Sequence, residues 1–220
     1  MSSVNLIALS KPTAYSECNT AEQLVAYAAR VSNPANQNNT KTSGKLVSFL
    51  IKENHWSPLE MVHLTIEIKT TRDISRQILR HRSFSFQEFS QRYAVSENFT
   101  TREARLQDKK NRQNSYPTDN KALAEEWNMK QSSVINKAKE VYEWALDSGI
   151  AKEQARAVLP EGNTETTLYM AGSLRSWVHY CDLRMSNGTQ KEHMDIARQC
   201  WEILSQHFPD IGKSVEELKS

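Results

Sequence analysis

Residues 61–69 alternate without a break: Val62, Leu64, Ile66 and Ile68 fall on one side of an extended backbone. Met61, His63, Thr65, Glu67 and Lys69 fall on the other. A period of two with one apolar side predicts a half-buried strand, because a helix would scatter the same residues around its axis. Such a strand has to join a sheet and cover its apolar side with another layer.

Most of the remaining pattern is helical in period. Residues 4–9 predict a short buried strand. Thr20 with Gln23 is a capping-box pattern, and the helix after it sets Leu24, Ala28 and Val31 on one face. Residues 32–43, rich in Asn and Thr, form a loop. Leu46, Val47, Phe49, Leu50 and Ile51 mark a second helix ending near Asn54. His55-Trp56-Ser57-Pro58 breaks it, since the residue before a proline is pushed out of the helical region. Residues 72–82 predict a helix with Ile74 and Ile78 inward and Arg72, Arg76 and Arg80 on one face, beside Gln77. Like charges four apart cost about a few tenths of a kcal/mol on a bare helix, a cost that a bound anion would relieve.

From 83 the chain leaves that helix; residues 94–99 predict a second short strand and 100–117 a polar surface loop of low order. A long helix over 118–148 turns Leu123, Trp127, Val134, Ile135, Val141, Tyr142 and Ala145 inward and stops at Gly149. A short helix over 151–157 and a tight connection at 159–163 follow. Thr164 or Thr166 then caps a helix with Leu168, Ala171, Leu174, Val178 and Cys181 inward and Arg175, His179 and Asp182 on its other side. After a turn at 186–188, a last amphipathic helix buries Ile196, Cys200, Ile203 and Leu204. Trp56, Trp127, Trp144 and Trp201 read as packing residues. With no repeat and no clean boundary, the chain reads as one α+β domain over 1–220.

At 220 residues a chain buries roughly 70% of its unfolded surface, enough for a real core. A formal net charge of +2 argues against a surface built throughout for nucleic acid, so any positive field is local. No apolar run approaches the ~20 residues that span a bilayer, and 4–9 lacks the length and basic flank of a secretory leader. Cys18, Cys181 and Cys200 are odd in number, far apart and outside any Cys-x-x-Cys. That predicts free thiols in a reducing, cytoplasmic setting, with no zinc framework.

One stretch concentrates the chemistry: Arg80-His81-Arg82-Ser83-Phe84-Ser85-Phe86-Gln87-Glu88-Phe89-Ser90-Gln91-Arg92-Tyr93. Guanidinium forks bind phosphate or carboxylate and stack on flat rings, so this mixture suits an anionic, partly planar ligand. Two other readings stand beside that one. The stretch could be a solvated helix end, or 72–93 could be a nucleic-acid-binding module with stacking aromatics, against which the near-balanced charge counts.

The order of residues narrows the choice. Arg80-His81-Arg82, seven further residues, Ser90 and Arg92-Tyr93 resemble the signature of the flavin-dependent thymidylate synthases. The likeness extends through His55-Trp56-Ser57-Pro58-Leu59-Glu60, Arg76-Gln77, Ala155-Arg156-Ala157-Val158-Leu159-Pro160 and Arg175-Ser176-Trp177 with His179 and Leu183-Arg184. It implies reductive methylation of dUMP with FAD as cofactor and NADPH and methylenetetrahydrofolate as co-substrates. A flavoprotein of another activity on a uridine nucleotide is the nearest rival.

By that resemblance Ser57, Arg80, His81, Arg82, Glu88, Ser173, Arg175 and His179 contact FAD. Gln77, Arg80, Glu88, Phe89, Ser90, Gln91, Arg92, Arg156 and Arg184 contact dUMP. Arg184 lies beside the uracil and favours its N3 anion, and His55 helps with reductant or folate. Ser90 counts with these two at the reacting centre, but no His is placed by sequence to activate it, so it binds dUMP rather than attacking it. Gly172-Ser173 and Gly188 depart from the pattern, which often has Asn and His there. The resemblance implies a small antiparallel sheet flanked by helices, assembled as a homotetramer with sites between subunits.

Overall fold

The computed structural model describes residues 2–217. Its first half runs β1 (Ser3–Leu9), α1 (Ala21–Ala29), α2 (Ser43–Lys52), β2 (His63–Thr71), α3 (Arg72–Ile78) and β3 (Phe84–Glu88). A hairpin of β4 (Arg105–Gln107) and β5 (Ser115–Pro117) leads into α4 (Lys121–Asp147) and the short α5 (Lys152–Ala155). The chain ends in β6 (Glu165–Ser173), α6 (Leu174–Arg184), α7 (Lys191–His207) and α8 (Pro209–Glu217).

The alternating stretch is β2, as expected. Ile66 and Ile68 are fully buried and Leu64 nearly so, each contributing about 1.5–3 kcal/mol relative to exposure. The sheet order is β1-β2-β6-β3, with every pairing antiparallel. Val25, Leu50, Trp177, Ile196 and Ile211 from the helices join the apolar side of the sheet in one core. The opposite side is polar: Tyr169 Oη donates to Glu67 at 3.1 Å across the β2–β6 pair. This is a mixed helix-and-sheet domain with a small antiparallel sheet.

The largest correction falls on residues 165–173, which form β6 and not the start of a helix. Thr166, Leu168 and Met170 are buried while Glu165 and Tyr169 are exposed. The period is two, and the spacing of Leu168, Ala171 and Leu174 imitated a helical one. Pairing decides the matter, because β6 supplies β2 with nine partners from Ser173 opposite His63 to Glu165 opposite Thr71. Neither Thr164 nor Thr166 caps a helix. Ser173 does, accepting from the Ser176 N–H at 3.3 Å, as an N-cap hydroxyl should.

The second short strand lies at 84–88, not at 94–99, where Phe99 makes only an isolated bridge to Thr164. Phe84 sits opposite Gly172, and a Cβ at 172 would stand 2.4 Å from its ring. Glycine at 172 therefore admits the aromatic that closes this edge. β1 exists but is an edge strand, half-buried and bulged between Leu6 and Ala8, with Ile7 53% exposed. Segment 100–117 contains the β4–β5 hairpin.

Helix α3 stops at Ile78, so Arg80 lies beyond it, and Arg72 is buried. The three arginines do not share an exposed face. Helix α1 ends at Ala29, buries Val25 and Ala26 and leaves Val31 exposed. Of the residues assigned to the inner face of α4, Tyr142 and Ala145 are buried, while Leu123, Trp127 and Val134 are exposed. Trp144 is exposed too. No described helix is long and apolar enough to cross a membrane.

Candidate active site

The turn that follows α3 sets up the site. Its backbone is pinned where the His81 N–H donates to the Ile78 carbonyl at 3.1 Å. That leaves Arg80 and Arg82 exposed and folds the His81 ring inward against Tyr180, centroid to centroid 4.9 Å. Arg184, in the last turn of α6, donates from Nε to His81 Nε2 at 2.9 Å. His81 must therefore be an acceptor there. Burial, with the charges of Arg184 and Arg80, lowers its pKa to about 4, so the ring is neutral at pH 7. The terminal nitrogens of Arg184 donate no hydrogen bond to the described residues.

Glu88 ends β3 on its core side. Its Oε1 accepts from Ser75 at 2.9 Å and Thr166 at 3.0 Å and lies 3.5 Å from Arg72 Nη1. Its Oε2 has no hydrogen-bond partner among the described residues. Beyond it the chain turns tightly, the Tyr93 and Ala94 N–H groups both donating to the Ser90 carbonyl at 3.1 Å. The Ser90 hydroxyl accepts from the Arg92 N–H at 3.4 Å. Gln91 is buried and donates to Ser96 Oγ at 3.0 Å, so its side chain is spent inside the protein. Phe89 borders a cavity of about 310 Å³. Arg92 pairs with the Glu153 carboxylate at 3.1 Å, and Arg156 Nε donates to the Glu153 carbonyl at 3.3 Å. Two guanidinium groups far apart in sequence thus converge on one residue.

A second group gathers at the other end of α6. Ser57 opens a 3-10 turn (Ser57–Met61), Glu60 pairs with Arg175 at 3.0 Å, and Trp56 packs against His179 at 4.5 Å between centroids, the rings tilted by 59°. Asn54, at φ 58°, makes the turn that presents His55, whose N–H donates to the Leu50 carbonyl at 2.7 Å. His55, Trp56, Ser57, Glu60 and Arg175 line an open cavity of about 640 Å³. Ser173 lies beside this group, its hydroxyl 3.1 Å from Ser176 Oγ. Ser176 Oγ in turn donates to the Ser83 carbonyl at 3.3 Å, tying this end of α6 to the turn after α3.

Sequence reasoning missed the residues behind His81. Gln77 donates to Gln190 Oε1 at 2.8 Å and faces His193 Nδ1 through its oxygen at 3.3 Å. His193 Nε2 meets the Tyr180 hydroxyl at 3.1 Å, and both side chains are buried. The signal was present: His193 sits three residues before Ile196 on the apolar side of α7, where a polar ring needs a built partner. Gly188 adopts φ 93°, a region that disfavours the His common at that position in the resemblance.

The arrangement defines a class first: a helix-and-sheet protein that gathers Arg80 and Arg184 around a neutral histidine. A family model described as thymidylate synthase complementing protein (Thy1) matches residues 14–210. A protein of Paramecium bursaria Chlorella virus 1, described as a probable flavin-dependent thymidylate synthase, is 50% identical over 215 residues, covering 97% of this chain and 99% of that protein. A flavin-dependent thymidylate synthase of Synechocystis sp. is 49% identical over 215 residues with the same coverage. Among solved structures, a UMP/dUMP methylase, PolB of Streptomyces cacaoi, bound with 5-Br dUMP, superposes with a TM-score of 0.84 at 25% identity, covering 99% of this chain and 95% of that one. The chain belongs to the Thy1 family, the flavin-dependent thymidylate synthases, and is an enzyme of that kind.

Proposed function

We propose that this chain methylates dUMP reductively to dTMP, with methylenetetrahydrofolate as one-carbon donor, FAD as cofactor and NADPH as reductant. The observation that carries the reading is the Arg184–His81 pair. A carboxylate partner would cancel the guanidinium charge, whereas a neutral imidazole orients it and leaves the charge for a ligand. Placed at the uracil edge, Arg184 stabilises the N3 anion and so enriches C5 in electrons without a covalent bond to the enzyme. Cys200 supports that absence of a covalent step, since burial pushes its thiol far above the range of a nucleophilic thiolate.

The donor set fits FAD. Arg80 and Arg82 are exposed and have no carboxylate partner among the described residues, as a site for a dinucleotide's phosphates requires. Bound there, FAD supplies the redox chemistry that no side chain of this chain can carry. Arg80, His81 and Arg82 hold it on one side; Ser57, Ser173, Arg175 and His179 hold it on the other. For dUMP, Ser90, the Gln91 main chain, Arg92 and Arg156 hold the phosphate, and Gln77 and Phe89 hold the nucleoside. Glu88 reaches both ligands through Oε2. His55 stands at the rim for folate or reductant.

The groups assigned to FAD and to dUMP are spread along the whole of α6. Arg175 and Arg184 are nine residues apart on α6, hence turned roughly 180° from each other and separated by about 13 Å along the axis. We expect a homotetramer with sites shared between subunits. The exposed apolar residues of α4, with Trp127 at 45% and Trp144 at 63%, give such an assembly surface to bury. We place the enzyme in the cytoplasm.

The test is dTMP formation from dUMP, methylenetetrahydrofolate and NADPH, with the visible spectrum recorded on the same protein. A yellow protein that turns over, and keeps doing so with all three cysteines replaced by Ala, is the expected result. A colourless protein that ignores added FAD contradicts the reading.

A further inference from the structure

Five side chains form a continuous hydrogen-bonded line from the core to the edge of the site: Tyr180, His193, Gln77, Gln190 and Glu192. The direction of every bond in it follows from its end. The Glu192 carboxylate can only accept, so Gln190 donates to it through Nε2 at 2.9 Å. That fixes Gln190 Oε1 as the acceptor from Gln77 Nε2, at 2.8 Å. The Gln77 carbonyl must then face His193 Nδ1, at 3.3 Å, which makes Nδ1 the protonated nitrogen. In a neutral ring Nε2 is left as an acceptor, and the Tyr180 hydroxyl donates to it at 3.1 Å. Burial and the charge of Arg184 keep His193 neutral, lowering its pKa to about 3.

An amide on its own can rotate by half a turn and exchange its donor and acceptor ends. Here both ends are specified, one by His193 and one by Gln190. The remaining Gln77 N–H is the only donor this amide has left for a ligand, and its oxygen is turned inward.

We propose that His193, backed by Tyr180, is a positioning residue that locks Gln77 so that it presents an N–H donor, never a carbonyl, to an oxygen of the nucleotide. The proposal rests on the reading of Gln77 as a dUMP contact. In this reading His193 acts on the nucleotide through its hydrogen bond to Gln77.

The test is the dissociation constant for dUMP, measured by calorimetry on the FAD-loaded enzyme, beside kcat at saturating dUMP and NADPH-driven flavin reduction without dUMP. His193→Leu should weaken dUMP binding about tenfold, the scale of one oriented hydrogen bond, with kcat at saturation nearly kept. His193→Asn places an amide N–H where Nδ1–H stood and should bind within about twofold of the parent. Tyr180→Phe removes only the hydroxyl and should weaken binding about threefold, which carries the test if the leucine variant does not fold. Flavin reduction should be unchanged in all three. Parental dUMP affinity in His193→Leu and Tyr180→Phe, with weakened binding in Gln77→Leu, would overturn the positioning role while leaving Gln77 a contact. Parental affinity in Gln77→Leu itself would remove the Gln77 reading, and the proposal with it.

Discussion

Arg72 is buried and Arg184 partly so, and their partners give them different uses. Arg72 is 8% exposed and meets the carboxylate of Glu88, which also accepts from Ser75 and Thr166. Its charge is cancelled inside the fold. Arg184 meets His81, a neutral ring, and keeps its charge. Between these two, the charge of the partner separates a structural guanidinium from an available one, whereas Arg92 and Arg175 pair with carboxylates in solvent, where screening leaves them open to a ligand. Arg102, paired with Asp73 at 2.6 Å, belongs with the first kind.

The largest expected effect tests the structural side. Glu88→Ala leaves the Arg72 guanidinium buried without its counter-charge, and breaking a buried pair this way costs about 3–5 kcal/mol. The urea midpoint should fall accordingly; a loss under about 1 kcal/mol would mean that water already compensates Arg72.

The next test turns one kind of arginine into the other. His81→Glu gives Arg184 a carboxylate, whereas His81→Gln keeps a neutral acceptor. Both disturb the FAD side equally in position, so their difference isolates the charge. We expect dTMP formation at saturating FAD and dUMP to be about a hundredfold lower in the Glu variant than in the Gln variant. Equal rates would erase the distinction drawn between Arg72 and Arg184.

Smaller, but of opposite sign in two places, is the dependence of stability on pH. His81 and His193 have folded pKa values of about 4 and about 3, below the ordinary 6.5. Their contribution is complete above pH 6.5 and is lost as pH falls toward 4 and below, because the unfolded chain binds the protons first. Glu22, which accepts from the Ile211 N–H at 3.0 Å, is raised by burial and by Asp210 from 4.5 to about 7. Its contribution is complete below pH 4.5 and is lost as pH rises through 7. Thermal unfolding from pH 5 to 8 should therefore show Glu22→Gln gaining on the parent as pH rises. A constant difference between the two across that range would contradict the assignment of the raised group to Glu22.

What the sequence disclosed and what it hid have physical causes. The strand at 63–71 was legible because its two sides differ sharply in polarity. The strand at 165–173 was not, because Ala171 and Leu174 fall at helical spacing from Leu168, and only the register with β2 reveals the period of two. The inner face of α4 was over-read: apolar residues at helical spacing say that a face will be covered, not that the same chain covers it. At the candidate site, motif order pointed to Arg80, His81, Arg82, Ser90, Arg92, Arg156 and Arg184, of which the structure joins His81 to Arg184 and brings Arg92 and Arg156 to Glu153. It could not show that Gln91 turns inward to Ser96 or that Glu153 joins Arg92 to Arg156. The line through His193 was hidden because it joins residues 113 and 116 positions apart, which no local pattern encodes.

The central claim, that Arg184 acts on the uracil as a free, oriented charge, is tested most directly by Arg184→Lys. Lysine keeps a positive charge and loses the planar fork that can hold His81 and a ring edge together. NADPH-driven flavin reduction and dTMP formation are measured separately at saturating dUMP. We predict flavin reduction close to the parent's, since it does not involve the uracil, and dTMP formation lower by about 10²–10³. dTMP formation at the parental rate would contradict the claim.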